Sequence, residues 1–187
     1  MFNTISQKLV IPGAVGVLPT DTVYGLVARA DDQSAVQRLY DLKSREGKPG
    51  TLIAASIDSL VELGLKARYL KAVEQFWPGA VSVIIPCGPE LQYLHEGKFS
   101  LAIRIPDNAE LRDLLAQTGP LLTSSANHPG EAPANTVAEA KAYFTDKVDF
   151  YVDGGDLSGH QPSTIIRIVD DAIEIIREGA VKIQPNE

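Results

Sequence analysis

The sequence predicts a mixed α/β fold: one twisted, open sheet of mixed strand direction, with helices packed against it. Three observations carry this. Short apolar runs of strand length alternate with segments whose apolar residues recur at helical spacing. The chain closes on two β-rich runs separated only by Asp170-Asp171, a hairpin signal that argues against a purely parallel sheet. The chain has 187 residues, which fits one domain spanning 1–187 and a substantial core.

The elements follow in order. "GAVGVLP" (13–19) reads as a buried strand. "DDQSAVQRLYDLK" (31–43) reads as a helix with Asp32 at its N-cap and Val36, Leu39 and Tyr40 on one face. "GTLIAAS" (50–56) is a short strand. A helix over 56–64 starts at Ser56 and stops at Gly64. "ARYLKAVEQFWPG" (67–79) is a helix halted by Pro78-Gly79. "AVSVIIP" (80–86) and "FSLAIRIP" (99–106) are strands. A helix over 108–119 turns Leu111, Leu114 and Leu115 inward, and "PLLTSS" (120–125) is a strand. "TVAEAKAYF" (136–144) opens with a capping box, Thr136 to Glu139. "VDFYV" (148–152) is a strand, followed by the closing hairpin.

Composition bounds the function. The net charge is −7, so no broad basic surface for nucleic acid is signalled. There is one cysteine, Cys87, and the histidines His95, His128 and His160 lack metal-ligand spacing. No apolar run nears the roughly 20 residues that span a bilayer, and the first ten residues lack a secretory pattern. A cytoplasmic protein without a membrane partner is expected.

Polar groups gather where strands end. Pro19-Thr20-Asp21-Thr22 follows the first strand; on those residues alone it reads first as a plain turn that ends the strand. Arg104 lies among Leu101, Ile103 and Ile105 and shares a strand face with Ala102 and Ser100. Facing inward, it needs a partner. "LLTSSAN" (121–127) empties an apolar strand into hydroxyls and an amide, groups that bind phosphate or carboxylate without a standing charge. Lys43, Arg45 and Lys48 cluster after a helix. If the chain is extended beyond Leu42, Lys43 and Arg45 project together towards a polyphosphate; otherwise they complement a helix dipole. Neither a Walker glycine loop nor GxGxxG occurs.

In their order and spacing, "PTDTVYGL", "LKSR", "FWPGAVSVII", "LAIRIP", "SSAN", "PSTIIRI" and "IIREGAV" resemble the YrdC family over about Val15 to Ile183. Its catalytic members are threonylcarbamoyl-AMP synthases, and this chain resembles the short, single-domain bacterial type. The resemblance implies helices on the convex side of the sheet and a ligand cleft on the concave side. It implies that Thr22, Arg104, Thr123 and Ser163 bind threonine, with Arg104 on the carboxylate. It implies that Lys43, Arg45, Ser100, Ser125 and Arg177 contact ATP, and that Lys43, Arg45, Ser125 and Asn127 form the catalytic set. Mg2+ would accompany ATP, with no dedicated protein metal site.

The implied activity is L-threonylcarbamoyladenylate synthesis. L-threonine, bicarbonate or CO2, and ATP would give threonylcarbamoyl-AMP and pyrophosphate, and the product would pass to a separate tRNA threonylcarbamoyl transferase. The chain departs from the family pattern at Val27, at Glu46 and at Ala54-Ala55. Two other readings follow: a YrdC-like module that binds RNA without catalysis, and a paralogue acting on another carbamoyl substrate, as in hydrogenase maturation.

Overall fold

The computed structural model describes Phe2, residues 4–44 and residues 47–184. After a short helix α1 (Ile5–Leu9), the strands β1 (Val15–Pro19) and β2 (Tyr24–Arg29) form an antiparallel hairpin around the Pro-Thr-Asp-Thr bend. Then come α2 (Gln33–Lys43), β3 (Thr51–Ile53), α3 (Ile57–Leu63), α4 (Ala67–Lys71), β4 (Val81–Pro86), α5 (Gln92–His95) and β5 (Ser100–Arg104). The chain continues through α6 (Ala109–Thr118), β6 (Leu121–Ser125), α7 (Val137–Phe144), β7 (Phe150–Tyr151), β8 (Thr164–Val169) and β9 (Ala172–Arg177).

Among the described residues these strands form one sheet in the order β7-β1-β2-β6-β3-β5-β4-β8-β9. Pairing is mixed: β1–β7, β3–β5 and β4–β8 are parallel, and the other neighbours are antiparallel.

The local signals explain most boundaries. Asp32, Ser56, Asn108 and Thr136 each accept the backbone N–H three residues on, satisfying donors that the first turn of a helix leaves open. Asp170 and Asp171 both have positive φ, 50° and 62°, the conformation of a tight turn matched to strand twist. The expected helix over 67–79 is shorter: α4 ends at Lys71, and a single 3-10 turn at Glu74–Phe76 leads into Trp77-Pro78. Strand β2 was not expected from the pattern, because Tyr24–Ala28 is buried on both faces and shows no alternation.

The two sheet faces differ. One face carries Val15, Val17, Leu26, Leu52, Val83, Leu101, Ile103, Leu122 and Ile166, packed with residues of α2, α3, α4, α5 and α7. The other face divides along the strands. At one end Leu18, Val27, Ile53 and Leu121 pack under α1 and α6, through Ile5, Leu9, Leu111, Leu114 and Leu115. At the other end the same strands present small or polar residues. Val27 on β2 gives way to Gly25, Leu121 on β6 to Thr123 and Ser125, and Ile53 on β3 to Thr51. Helices therefore also cover part of the cleft side, and the cleft occupies what they leave open.

Candidate functional site

The cleft floor is a row of paired strand residues. Thr123 lies opposite Thr51, and Thr51 opposite Ala102, with Gly25 opposite Ser125 at the rim. A side chain at Gly25 would not fit: its Cβ would lie 2.5 Å from Thr123 Oγ1. A cavity of about 140 Å³ stands on this floor, walled by Thr20, Thr22, Arg104, Ser163 and Arg177. A second cavity, about 730 Å³, is lined by Tyr40, Asp41, Lys43, Ser44, Lys48 and Asn127. Ser125 lines both.

The Thr20-Asp21-Thr22 bend is held by its own hydroxyls. Thr20 Oγ1 donates to Val23 O at 2.7 Å and accepts from Thr22 N at 3.2 Å. Its one proton is thereby committed, so in the 3.0 Å Thr20–Thr22 hydroxyl contact Thr22 is the donor. Thr22 Oγ1 keeps its acceptor lone pairs, which suits a ligand hydroxyl.

Arg104, 3% exposed, meets the carboxylate of Asp21: Nη2 to Oδ1 is 2.9 Å. An arginine waiting for a ligand carboxylate would hold its guanidinium free; here the inward-facing Arg104 has Asp21 as its partner in a buried ion pair, because an unpaired charge at that depth is prohibitively costly. The pair is a charge contact outside hydrogen-bond alignment, and Arg104 Nε has no hydrogen-bond partner. Asp21 Oδ2 also accepts from Asp107 N at 3.3 Å. Burial pushes the Asp21 carboxyl above its usual value against the opposing pull of Arg104. Burial likewise pulls Arg104 down from its usual value.

The loop after β6 is organised by a lysine. Lys43, 2% exposed, donates from Nζ to Ser125 O at 2.7 Å, Asn127 O at 2.5 Å and Asn127 Oδ1 at 2.9 Å. Ser125 Oγ donates to the same Oδ1 at 2.6 Å, and Asn127 Nδ2 donates to Glu131 O at 2.6 Å. The helix runs through Lys43 and Ser44 caps it in a left-handed conformation, so the chain is not extended from Leu42. Arg45 and Glu46 lie outside the described residues.

On the far wall, Arg177 Nη2 donates to Ser163 O at 2.6 Å and to Ser163 Oγ at 3.3 Å. Ser163 Oγ also contacts Ser82 Oγ at 2.9 Å. The structure thus brings Thr22, Arg104, Thr123, Ser125, Ser163 and Arg177 around one cavity, and places Lys43 and Asn127 at its neighbour. Ser100 does not line either; its hydroxyl donates to Lys98 O at 3.4 Å, two residues from Ala102 on the same strand face.

The sequence pattern missed the roles of Gly25, Thr51 and Asp21. Asp21 stood in the polar bend already singled out, but nothing in the pattern paired it with Arg104, and Gly25 offered only its missing side chain. Tyr24 was missed as well: it joins β2 to the 153–156 loop by accepting from Gly154 N and donating to Gly155 O, both at 2.8 Å. Among the described residues no group of three His, Cys, Asp or Glu could hold a metal ion, and no helix is long and apolar enough to cross a membrane.

The comparisons agree with this geometry. The sequence profile of the Sua5/YciO/YrdC family, described as telomere recombination, matches residues 8–179. A Methanocaldococcus jannaschii protein named "Putative threonylcarbamoyl-AMP synthase" is 34% identical over 180 residues, covering 95% of this chain and 86% of that protein. The crystal structure of P. abyssi Sua5 complexed with L-threonine superposes with a TM-score of 0.82 at 25% identity, over 94% of this chain and 53% of that one. This chain thus spans about half the length of that Sua5. E. coli YciO superposes with a TM-score of 0.81 at 26% identity, over 97% of this chain and 92% of its own. With its profile match over most of the length and its mixed sheet shared with Sua5 and YciO, this chain belongs to the Sua5/YciO/YrdC family.

Proposed function

We propose that the protein is an L-threonylcarbamoyladenylate synthase, a nucleotidyltransferase. It joins L-threonine, bicarbonate or CO2, and ATP into threonylcarbamoyl-AMP with release of pyrophosphate and, where bicarbonate supplies the carbon, of water. The observation that carries this is the sharing of Ser125 by two unequal cavities. The smaller has the size and the hydroxyl-rich wall for an amino acid, with Arg104 for its carboxylate. The larger has Lys43, Lys48 and the Ser125–Asn127 loop for a nucleotide. Their shared wall is where an amino acid nitrogen and an α-phosphate would meet. The names of the relative from Methanocaldococcus jannaschii and of the threonine-bound Sua5 support the same reading.

In this reading Thr22, Thr123 and Ser163 enclose the threonine side chain. Arg45 and Ser125 serve ATP, Arg177 stands on the wall of the smaller cavity, Ser100 lies outside both cavities, and Lys43 and Asn127 fix the loop that carries Ser125. No side chain need form a covalent intermediate. Holding the threonine nitrogen, the carbon species and the α-phosphate in line is itself worth several powers of ten in rate. Magnesium would arrive with ATP, held chiefly by phosphate oxygens and water, as such sites usually are. Asp41 is the carboxylate on the wall of the larger cavity. The ion would supply neutralisation of the leaving pyrophosphate. The product would go to a tRNA threonylcarbamoyl transferase, in the cytoplasm. Net charge of −7 speaks against RNA binding as the main role.

The test is incubation with ATP, Mg2+, bicarbonate and single amino acids, with mass spectrometry for the adenylate and a pyrophosphate assay. Threonine-dependent adenylate is the expected result. Pyrophosphate release independent of amino acid, or salt-dependent RNA binding without turnover, would overturn it.

A further inference from the structure

We infer that Asp21 sets the charge specificity of the amino acid cavity, making it select a ligand that carries both a carboxylate and an ammonium over one that carries a carboxylate alone. This rests on the reading of that cavity as an amino acid site. Four observations support it. Arg104 is the cation buried in the cavity wall, and its Nε has no hydrogen-bond partner. Asp21 already sits 2.9 Å from Nη2, so the arginine's charge is compensated before any ligand enters. The Asp21 side chain is 5% exposed and is not part of the cavity lining, so a ligand meets it as a charge and not as a contact. The pair is tied down on the Asp21 side by Asp107 N–H.

The charge count decides what such a wall accepts. A carboxylate placed against Arg104 in the cavity wall adds a negative charge beside a pair that is already neutral. Like charges brought together in a buried site are strongly disfavoured. A ligand that also carries an ammonium leaves the site neutral. Other charged groups near the pair do not alter the comparison. Arg177 stands on the other wall, on β9, and acts on both ligands. Asp107 carries its own cation, Arg112, at 3.6 Å. Removing the Asp21 charge must therefore favour the bare carboxylate relative to the amino acid, whatever the absolute affinities. Asp21 is in this sense a positioning residue that acts through Arg104.

The test uses calorimetric binding of two probes with the same side chain: L-threonine, and 2,3-dihydroxybutanoate, in which a hydroxyl replaces the ammonium. The wild-type protein should bind threonine more tightly. In Asp21→Asn the ratio of the two dissociation constants should move towards the hydroxy acid by roughly tenfold or more. Asp21→Ser serves as a second neutral variant, with thermal melting to confirm that each is folded. A role in structure alone would weaken both probes equally, and that result overturns the inference while leaving the amino acid site standing. Equal binding of the two probes by wild type overturns it without any variant. No threonine binding by wild type overturns the reading of the cavity, and this inference with it.

Discussion

Lys43 and Asn127 are joined twice: the ammonium donates to the asparagine's side-chain Oδ1 at 2.9 Å and to its main-chain oxygen at 2.5 Å. A lysine 2% exposed at the end of α2 thus decides the path of the loop after β6. Lys43→Met would keep the stem and take a charged donor from three oxygens, of which Asn127 Oδ1 keeps Ser125 Oγ and Ser125 O keeps Asn127 N. We expect a stability loss of about 3 kcal/mol, in the range for breaking a buried charged interaction. Urea unfolding checks it. Asn127→Ala should cost less, and the double variant should fall short of the sum, since both changes remove one network.

Arg104→Lys keeps the charge and discards the planar fork. The expected result is a KM for threonine raised roughly 10- to 100-fold, the equivalent of about 1.5–3 kcal/mol for a hydrogen bond to a charged group. The KM for ATP should stay within a few-fold. Steady-state kinetics in each substrate separate the two, and equal increases in both would contradict the assignment of Arg104 to the smaller cavity.

Threonine should be preferred over valine and over serine. Valine keeps the shape but leaves Thr22 Oγ1 without its hydroxyl partner, costing about 1–3 kcal/mol. Serine loses one methyl, which costs roughly 1–3 kcal/mol in a fitted pocket. Pyrophosphate release with each amino acid at saturating ATP measures both. Gly25→Ala should remove this discrimination by driving a methyl against Thr123 Oγ1.

Cys87 should be inert. Burial, with help from the nearby Glu90 charge, pushes its thiol up to about 11. At pH 8 its thiolate fraction is then roughly a hundredth of that of an ordinary cysteine with a pKa near 9, since the thiolate is the reactive form. Iodoacetamide labelling of the folded protein should be correspondingly slow, and unfolding in urea should restore the rate.

Asp149 joins the first strand to α2 by accepting from Val15 N at 2.8 Å and from Arg38 Nη1 at 2.5 Å. Burial acts to raise its pKa, but these hydrogen bonds and the Arg38 charge outweigh it and the net shift is downward. A lowered folded-state value means that the stabilisation is complete above the unfolded value of 3.8 and is lost as pH falls through the folded one. Asp149→Asn should therefore lower the melting temperature at pH 7, and the gap from wild type should close in strong acid.

What the sequence revealed was local. Helix caps at Asp32, Ser56 and Thr136 lie within three residues of the donors they satisfy, so pattern alone found them, while the cap at Asn108 emerged with the structure. The turn at Asp170-Asp171 was legible for the same reason. Strand β2 was not, since burial on both faces erases alternation and Gly25 reads as a turn. The Asp21–Arg104 pair spans more than eighty residues, and only the sheet order brings it together. Motif resemblance named Thr22, Thr123, Ser125 and Ser163, which the structure gathers around one cavity, yet it gave no sign that Lys43 donates to the loop after β6.

The smaller cavity draws Thr22 from the first hairpin and Arg177 from the last strand. During synthesis, the strands at the middle of the sheet are available before β8 and β9 have left the ribosome. A chain stopped short of residue 164 could hold much of its core and still lack one wall of the site. The wall of the smaller cavity is therefore complete only when β9 has joined the sheet, so occupancy of that cavity would report pairing across the whole sheet in a way that helical content cannot.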